Sequence, residues 1–451
     1  MTPKISMTEI SGPVQVRPAP RRIFKMLTNS PQGQDGNSIT ASGGALGARI
    51  LTMADRLAQF SESPDGLTCT FMTPAHRATA AEIRNLMNAA GATAHIDVVG
   101  NVVGRYANAR PDAGTLIVGS HYDTVRNAGK YDGRLGILTG IVAAEELRRR
   151  NVALPFHLDV IGFSEEEGVR FSAPYLGSAA IAGRFDAGML KRRDANGQSL
   201  AEVLRESGGT AETITAVARR DKLVGYVEVH IEQGPVLLHE NLPVGVVTGI
   251  AGFARRRVTV RGVAGHAGAV PMSLRHDAAA AAAEIISMVE QRCSQVPGLR
   301  GTVGQLQVPA GAINVIPALC ELSLDIRSDN AGELEKALGD IAARIEAIAT
   351  RRGVSVEIEK VAELPPVLCT PRLRDALGRA VARQRLAVRS LVSGPGHDAV
   401  MFDGITDVGM LFVRCGNGGI SHSPLETITA DDADMGVRVL LDFLTNYEVR
   451  P

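Results

Sequence analysis

The sequence has no tryptophan, few aromatic residues and no excess of charge of either sign. Its 451 residues include 48 lysines plus arginines and 48 aspartates plus glutamates, so the formal net charge is zero. This balance argues against a nucleic-acid or membrane partner that is attracted by bulk charge. No apolar run reaches the roughly 18 residues that a membrane-spanning helix needs. We therefore expect a soluble globular protein of two domains, or three, with a small-molecule partner.

Cysteine is also sparse, and its spacing excludes several kinds of site. The five cysteines are an odd number and form no CxxC pair. Reduced thiols in a cytoplasmic protein fit this pattern better than a disulfide framework does. The sequence therefore predicts a cytoplasmic location.

The first 45 residues differ from the rest of the chain. They are rich in proline, glycine, serine and asparagine, and they show no sustained periodicity. Such a composition predicts a disordered N-terminal extension, residues 1–45. A basic patch at residues 17–25 leaves a transit peptide as the alternative, and no secretory apolar segment is present.

Strand-like and helix-like segments alternate after residue 45. The spacing predicts helices over residues 48–60, 74–91 and 135–150, and strands over residues 96–103, 115–118, 156–163 and 224–231. Strands that alternate with helices of this length form a mostly parallel sheet that is covered on both faces. The predicted fold class is therefore α/β.

The pattern changes at about residue 249. Strands over residues 253–262, 302–307, 320–326 and 354–358 and helices over 275–293 and 333–352 give the order β-α-β-β-α-β, which is the ferredoxin-like unit. Signals like those of the first part resume after Pro371. We therefore predict an inserted α+β domain, residues 249–367, within a larger domain formed by residues 46–248 and 368–451.

Side chains that could bind a metal ion follow directly after one of the predicted strands. His121 and Asp123 follow the strand 115–118, at the edge where open α/β sheets build their sites, and Asp132 ends the next loop. A histidine followed two residues later by an aspartate is typical of a metal ligand whose second ring nitrogen is held by a carboxylate. A surface loop with an incidental histidine is the alternative.

Acidic and imidazole side chains follow three other predicted strands. Glu165, Glu166 and Glu167 come after strand 156–163, His230 is near the end of strand 224–231, and His422 follows strand 410–413. Adjacent carboxylates repel one another, so such a group usually has a compensating cation or a raised pKa. Taken singly, a solvated acidic turn and a hydrogen-bonded core histidine explain these residues equally well.

Taken together, these residues predict a metal centre. Three histidines and two carboxylates would meet at one edge of one sheet, and they are His121, Asp132, Glu167, His230 and His422. Imidazole and carboxylate ligands without thiolate suit zinc, manganese, nickel or cobalt. Since five ligands exceed the need of one tetrahedral site, we favour two metals, bridged by Asp132 and roughly 3.5–4 Å apart. A neighbouring glutamate could then serve as general base.

Two further segments could bind an anion. Arg327 ends a strand of the inserted unit, and its planar guanidinium suits a carboxylate, although an arginine there usually faces solvent. The loop that contains Gly396 and His397 opens a helix, so its backbone N–H groups could meet an anion.

Nine segments of the chain resemble the metal-dependent amidohydrolases of the M20 peptidase superfamily, in the branch of the allantoate amidohydrolases, N-carbamoyl-L-amino acid hydrolases and β-ureidopropionases. In chain order they are Gly119-Ser-His-Tyr-Asp-Thr-Val, Gly129-Lys-Tyr-Asp-Gly, Glu166-Glu-Gly-Val-Arg-Phe, His230-Ile-Glu-Gln-Gly-Pro, Gly265-His-Ala-Gly, Asn314-Val-Ile-Pro, Asp325-Ile-Arg, Gly396-His-Asp-Ala and Gly419-Ile-Ser-His. The resemblance runs from about residue 48 to the end.

The resemblance implies a role for each of these positions. His121, Asp132, Glu167, His230 and His422 would be the ligands of two divalent ions, with manganese preferred and zinc, nickel or cobalt as alternatives. Glu166 would be the general base, and Asp123 would orient His121. His266 would stabilise the oxyanion. The substrate would be held by Gln233, His266, Asn314, Arg327, Gly396 and His397.

The resemblance also implies a substrate and an assembly. The expected reaction is hydrolysis of a ureido C–N bond in a small carboxylate, with allantoate preferred because the segment Thr124–Gly133 is similar to that of the allantoate enzymes. N-carbamoyl-L-amino acids are next, followed by β-ureidopropionate. A dipeptidase and a catalytically silent ligand-binding relative remain alternatives. A homodimer through the inserted lid domain is expected, with His266 acting in the partner's site. The sequence does not decide the physiological metal or the stereochemical preference.

Overall fold

The computed structural model describes residues 44–449. The predicted N-terminal extension falls almost entirely on residues 1–43, which lie outside the described residues, as do residues 450 and 451. Within residues 44–449, no helix is both long and apolar enough to cross a membrane. The five cysteines are free and buried.

The first part of the chain, up to residue 250, alternates helices with strands. In chain order the elements are α1 (Ala45–Ala58), α2 (Pro74–Ala89), β1 (Thr93–Ile96), β2 (Val102–Tyr106), β3 (Thr115–His121), α3 (Arg134–Arg149), β4 (His157–Phe163), α4 (Leu176–Ile181), α5 (Leu200–Arg205), α6 (Ala211–Thr215), β5 (Leu223–Ile231), α7 (Val236–His239) and β6 (Val244–Ile250).

The remaining elements fall in two groups. The first consists of β7 (Gly252–Arg261), β8 (Gly265–His266), α8 (Ala278–Ser294), β9 (Arg300–Thr302), β10 (Leu306–Gln307), β11 (Val315–Ile316), β12 (Leu319–Ser328), α9 (Ala331–Arg352) and β13 (Ser355–Leu364). The second consists of β14 (Val367–Leu368), α10 (Pro371–Arg383), β15 (Ser390–Ser393), β16 (Val408–Val413) and α11 (Ala430–Asn446).

The larger sheet has a parallel centre. Its strand order is β1-β2-β4-β3-β5-β16-β6-β14, and β15 also pairs with β6. The four central strands β4, β3, β5 and β16 are parallel, whereas β1, β2, β6 and β14 pair antiparallel with their neighbours. The chain is therefore a mixed α/β protein with a mostly parallel central sheet.

The central strands are mainly apolar because both faces of the sheet are covered. Every residue of β3, β4 and β16 is buried. One face packs against α1, α3, α10 and α11, and the opposite face packs against residues such as Phe402 and Ile181. The candidate site residues His121, Glu166 and His230 lie at, near or just beyond the carboxyl ends of these strands, whereas Asp159 of β4 and Glu228 of β5 are buried within the sheet.

A second sheet is built from residues 252–364. Its order is β10-β12-β7-β13, with β9 also paired to β12, and all its pairs are antiparallel. Helices α8 and α9 cover one face through a separate apolar cluster that includes Ile285, Ile326 and Ile345. The strand β12 alternates between half-buried and buried residues, so its other face is open.

Two predicted strands are each split in the structure. The predicted strand 96–103 is broken after Ile96 because the Asp97 carboxylate accepts hydrogen bonds from the backbone N–H groups of Val99 and Asn101, which forms a turn. The predicted strand 302–307 is two short strands, β9 and β10. The strand β6, which sequence patterning did not predict, lies antiparallel to β16.

Candidate metal centre

The parallel centre of the sheet brings the predicted ligands together. His121 is the last residue of β3, Glu166 and Glu167 follow β4, and His230 is near the end of β5. His422 follows β16, the next strand in the sheet. Since parallel strands all end at one edge, four neighbouring strands deliver their polar residues to one place.

Three of the predicted ligands form a buried cluster around one oxygen of Asp132. The Oδ1 atom of Asp132 lies 3.2 Å from His230 Nε2 and 3.7 Å from His121 Nε2. All three side chains are almost fully buried. Their ligand atoms lie within 4.8 Å of one another, which is compatible with one bound metal ion.

The other oxygen of Asp132 belongs to a second cluster. Its Oδ2 atom lies 3.2 Å from His422 Nε2, and the same His422 nitrogen lies 3.4 Å from Glu167 Oε1. Gln233 donates a hydrogen bond from Nε2 to Asp132 Oδ2 at 2.9 Å. Asp132 thus faces one histidine-containing cluster with each of its oxygens, as a bridging carboxylate does.

Unusual backbone conformations set the direction of these side chains. Gln233 and His422 have φ angles of 54° and 53°, in the left-handed region that residues other than glycine rarely adopt. Gly133 has a φ of 66°, and a Cβ atom there would lie 2.5 Å from the His121 ring. Only glycine at this position lets the loop of Asp132 close over His121.

Asp123 is bonded mainly to the loop after β4. Its carboxylate accepts the backbone N–H groups of Glu166 and Glu167, at 3.0 and 3.1 Å. The Nδ1 atom of His121 lies 3.2 Å from the main-chain oxygen of Asp123 and 3.5 Å from its carboxylate. In this structure the shorter contact that orients His121 is therefore made by the Asp123 main chain.

Two glutamates of this region lie in surroundings that disfavour their charged form. Burial is the main cause that raises the pKa of Glu166 well above its ordinary value, and burial also raises the pKa of Glu167 to about 7. The hydrogen bond with Asp132 raises the pKa of His422 to about 9. Buried carboxylates whose charged form is disfavoured, beside imidazole nitrogens, are the environment that a divalent cation would stabilise. The donor set therefore fits hard or borderline divalent metals.

Several site residues were missed from the sequence. Glu426 is buried, and its Oε1 atom accepts the backbone N–H groups of Tyr131 and Asp132 at 2.8 and 3.2 Å, so it holds the loop of the shared carboxylate. Glu228 and Asp398 are also fully buried behind the site. Their chain positions within a strand and a helix-opening loop gave no signal that distinguishes them from solvated acids.

The structure places His397 behind the metal residues. Its ring is 1% exposed, packs edge-on against His230 with ring centres 4.5 Å apart, and has Nε2 2.7 Å from Ser393 Oγ. The predicted contact of this side chain with substrate stays a prediction. Gly396 borders the site, and a Cβ atom there would lie 1.9 Å from Tyr175 Oη.

Other predicted substrate residues lie on the second sheet or beside it. Arg327 is near the end of β12, and its Nη1 donates to the Gly394 main-chain oxygen at 2.9 Å. His266 and Asn314 lie side by side on exposed segments, where the backbone N–H of Ala267 donates a hydrogen bond to the main-chain oxygen of Asn314. Within residues 44–449, no hydrogen bond or ion pair joins His266 or Asn314 to the metal residues.

Comparisons with known proteins identify the family. The model of peptidase family M20/M25/M40 matches residues 117–446. The chain is 40% identical over 396 residues to an N-carbamoyl-L-amino acid amidohydrolase of Geobacillus stearothermophilus, covering 87% of this chain and 97% of that protein. It is 39% identical over 421 residues to an allantoate deiminase of Arabidopsis thaliana, covering 86% and 80%.

A solved structure shows the same fold. An amidase of the hydantoinase/carbamoylase family from Burkholderia multivorans superposes with a TM-score of 0.83 at 30% identity, covering 88% of this chain and 97% of that one. These findings confirm the resemblance that the sequence motifs indicated. The chain belongs to peptidase family M20/M25/M40, in the group that includes the hydantoinase/carbamoylase amidases.

Proposed function

We propose that this protein is a metal-dependent amidohydrolase that cleaves a ureido C–N bond of a small carboxylate, with allantoate as the preferred substrate. The observation that carries the proposal is the shared Asp132, whose two oxygens face two histidine-containing clusters. Glu166 lies beside them, with Oε2 4.0 Å from His121 Nε2. The products from allantoate and one water would be ureidoglycine, ammonia and carbon dioxide, and a second water that displaces ammonia from ureidoglycine would give ureidoglycolate.

Two divalent ions, preferably manganese, would be held by the residues of the two clusters. His121 and His230 would hold one ion, Glu167 and His422 the other, and Asp132 both. Bound there, the ions would supply electrophilic activation of the carbonyl and of the attacking water.

The chain's own residues would move the protons. Glu166 is buried, and its raised pKa makes it a stronger base than an exposed glutamate. It would take a proton from the attacking water and return it to the leaving nitrogen. Asp123 would hold Glu166 in place through the backbone N–H of that residue. Gln233, which already contacts Asp132, would position the substrate beside it.

A dimer would complete the site. His266 and Asn314 are exposed in the single chain and lie among exposed apolar side chains, including Val263, Met272 and Ile313. An apolar surface of this kind is typical of a protein interface. We propose a homodimer through the domain of residues 249–367, in which His266 stabilises the oxyanion in the partner's site and Asn314 and Arg327 hold the carboxylate.

The relatives support two substrates, allantoate and an N-carbamoyl-L-amino acid. The test is ammonia release by metal-stripped protein reloaded with manganese and offered both compounds side by side. We expect faster release from allantoate. Preference for the N-carbamoyl-L-amino acid would keep the chemistry and change the substrate, whereas activity on neither would refute the proposal.

Glu166→Gln tests the role of the base. The substitution removes the titrating oxygen and keeps the shape of the side chain, so metal content should be unchanged while kcat falls by at least about 10²-fold. Metal content by elemental analysis is the control. A kcat near that of the wild type would exclude Glu166 as the base.

A further inference from the structure

The guanidinium of Arg327, the proposed carboxylate ligand, is already occupied by the chain's own groups. Its Nε and Nη2 atoms donate to the two oxygens of Asp325 at 2.8 and 3.0 Å, and its Nη1 donates to the Gly394 main-chain oxygen. Arg255 shares the same carboxylate through a 3.1 Å hydrogen bond. Asp325 therefore occupies one edge of the Arg327 fork and neutralises part of its charge before a substrate arrives.

Arg300 lies beside Arg327 and faces the same cavity. It pairs with Arg327 across β9 and β12. Within β9, Arg300 and Thr302 are exposed, whereas Gly301 between them faces Cys293 of α8. The Arg300 side chain is therefore on the open face of the second sheet, and it contributes to the wall of a cavity of about 1420 Å³ together with Gln233 and Arg327.

The guanidinium groups of Arg300 and Arg327 both lie next to Gly394, on the opposite wall of the cavity. The Nη1 atom of Arg300 lies 3.6 Å from the position that a Cβ atom of Gly394 would take, and Arg327 bonds the oxygen of the same Gly394. Gly394 leads directly into Pro395 and Gly396, which borders Tyr175 at the metal centre. The space in front of Gly394 is thus flanked by both arginines.

Arg300 differs from the other arginines of this cavity in having no acidic partner. Arg255 and Arg327 are paired with Asp325, and Arg256 is paired with Glu363. Arg257 is paired with Glu359, and Arg389 with Glu240. Within residues 44–449, the Arg300 guanidinium has no hydrogen bond and no carboxylate within 4.0 Å. It is the one cation of the described cavity wall whose charge is fully free for a ligand.

We propose that Arg300 is a second carboxylate-binding residue, which together with Arg327 clamps the carboxylate of the ureido substrate against the Gly394 loop. The inference rests on the proposed function and names a specificity residue for it. The two hydrogen bonds to Asp325 fix the orientation of the Arg327 guanidinium, so Arg327 would orient the substrate carboxylate. Arg300 would supply a positive charge that no carboxylate of the chain neutralises. A substrate that lacks a carboxylate would gain nothing from Arg300.

The test compares steady-state kinetics of the manganese-loaded full chain and its Arg300→Ala variant, with whichever of allantoate and N-carbamoyl-L-amino acid the wild type hydrolyses. We expect KM to rise about 10- to 100-fold, as for the loss of one charge-assisted hydrogen bond, while kcat changes less than about threefold. Arg300→Lys keeps the positive charge but loses the planar guanidinium, so its KM should lie between those of Arg300→Ala and the wild type. The urea midpoint should stay unchanged, because the side chain has no partner to lose.

Arg257→Ala is the matched control. Arg257 is exposed on the same open face and is paired with Glu359, so its removal should leave KM within about twofold of the wild type. An Arg300→Ala variant with an unchanged KM, or an equal rise in KM for Arg257→Ala, would overturn the assignment while leaving the proposed function intact. A wild type that hydrolyses neither compound would overturn both.

Discussion

Replacing Asp123 by asparagine tests whether this residue supports the loop of Glu166, the proposed general base. The carboxylate is 1% exposed and accepts two backbone N–H groups, those of Glu166 and Glu167, one on each oxygen. Asparagine keeps one acceptor and places an NH₂ group against the second N–H, so one charge-assisted hydrogen bond is lost and two donors face each other. Such a bond contributes about 1.5–3 kcal/mol, and an unsatisfied buried donor costs about 1–3 kcal/mol.

An opposing effect decides the conditions of the assay. The charge of Asp123 contributes to the raised pKa values of Glu165, Glu166 and Glu167, so its removal also relieves repulsion among them. At pH 6 the Glu167 carboxyl, whose pKa is raised to about 7, is mostly protonated, so the relief at that carboxyl is small. We therefore expect Asp123→Asn to lower the free energy of unfolding by about 2–3 kcal/mol in urea denaturation of chelator-treated protein at pH 6.

Glu167→Gln is the control because it removes a carboxylate from the same loop. Within residues 44–449, the Glu167 side chain accepts no backbone N–H group, and burial raises its pKa to about 7. Folding at pH 6 must therefore protonate this carboxyl, so Glu167→Gln should be at least as stable as the wild type. With manganese restored, kcat of Asp123→Asn should fall about 10²-fold, since Glu166 loses its support. Equal stability of Asp123→Asn and wild type, or equal losses for both variants, would refute the reasoning.

Substitutions centred on three other positions, Gly396, Glu426 and His76, test further buried contacts. Gly396→Ala should lower the urea midpoint, because its Cβ would lie 1.9 Å from Tyr175 Oη, and adding Tyr175→Phe should restore part of it. Glu426→Gln should be tolerated because Oε1 alone accepts both backbone N–H groups, whereas Glu426→Ala should cost about 2–4 kcal/mol in the same assay. Burial lowers the pKa of His76 to about 3, so below pH 6.5 only the unfolded chain takes the proton, and stability falls as the pH drops toward 3. His76→Gln should remove about 2 kcal/mol of the loss between pH 6.5 and 5, measured by denaturation at each pH.

The clustering of the predicted metal ligands could be predicted because their positions depend on local rules. Neighbouring parallel strands end at the same edge of the sheet, where open α/β sheets build their sites. His121, Glu167, His230 and His422 each follow or end such a strand, so their meeting required only the strand order. Residues that depend on tertiary contacts gave no such signal. The Glu426 carboxylate accepts a hydrogen bond from the backbone N–H of Asp132, which is 294 residues earlier in the chain. No local sequence pattern predicts a contact over that separation.

The substrate residues are harder to place for a related reason. The ligands of the metal centre belong to one sheet and are fixed once that sheet forms, whereas Arg300 and Arg327 lie on a second sheet with its own core. Their distance to the proposed metals depends on how the two sheets face each other, and in the proposed dimer that of His266 depends on a second chain. A motif can therefore specify a residue's chemistry without specifying where it acts. It follows that variants on the second sheet should weaken substrate binding without changing metal content. Arg300→Ala tests this as a rise in KM, whereas Glu166→Gln, beside the first sheet, should lower kcat at unchanged metal content.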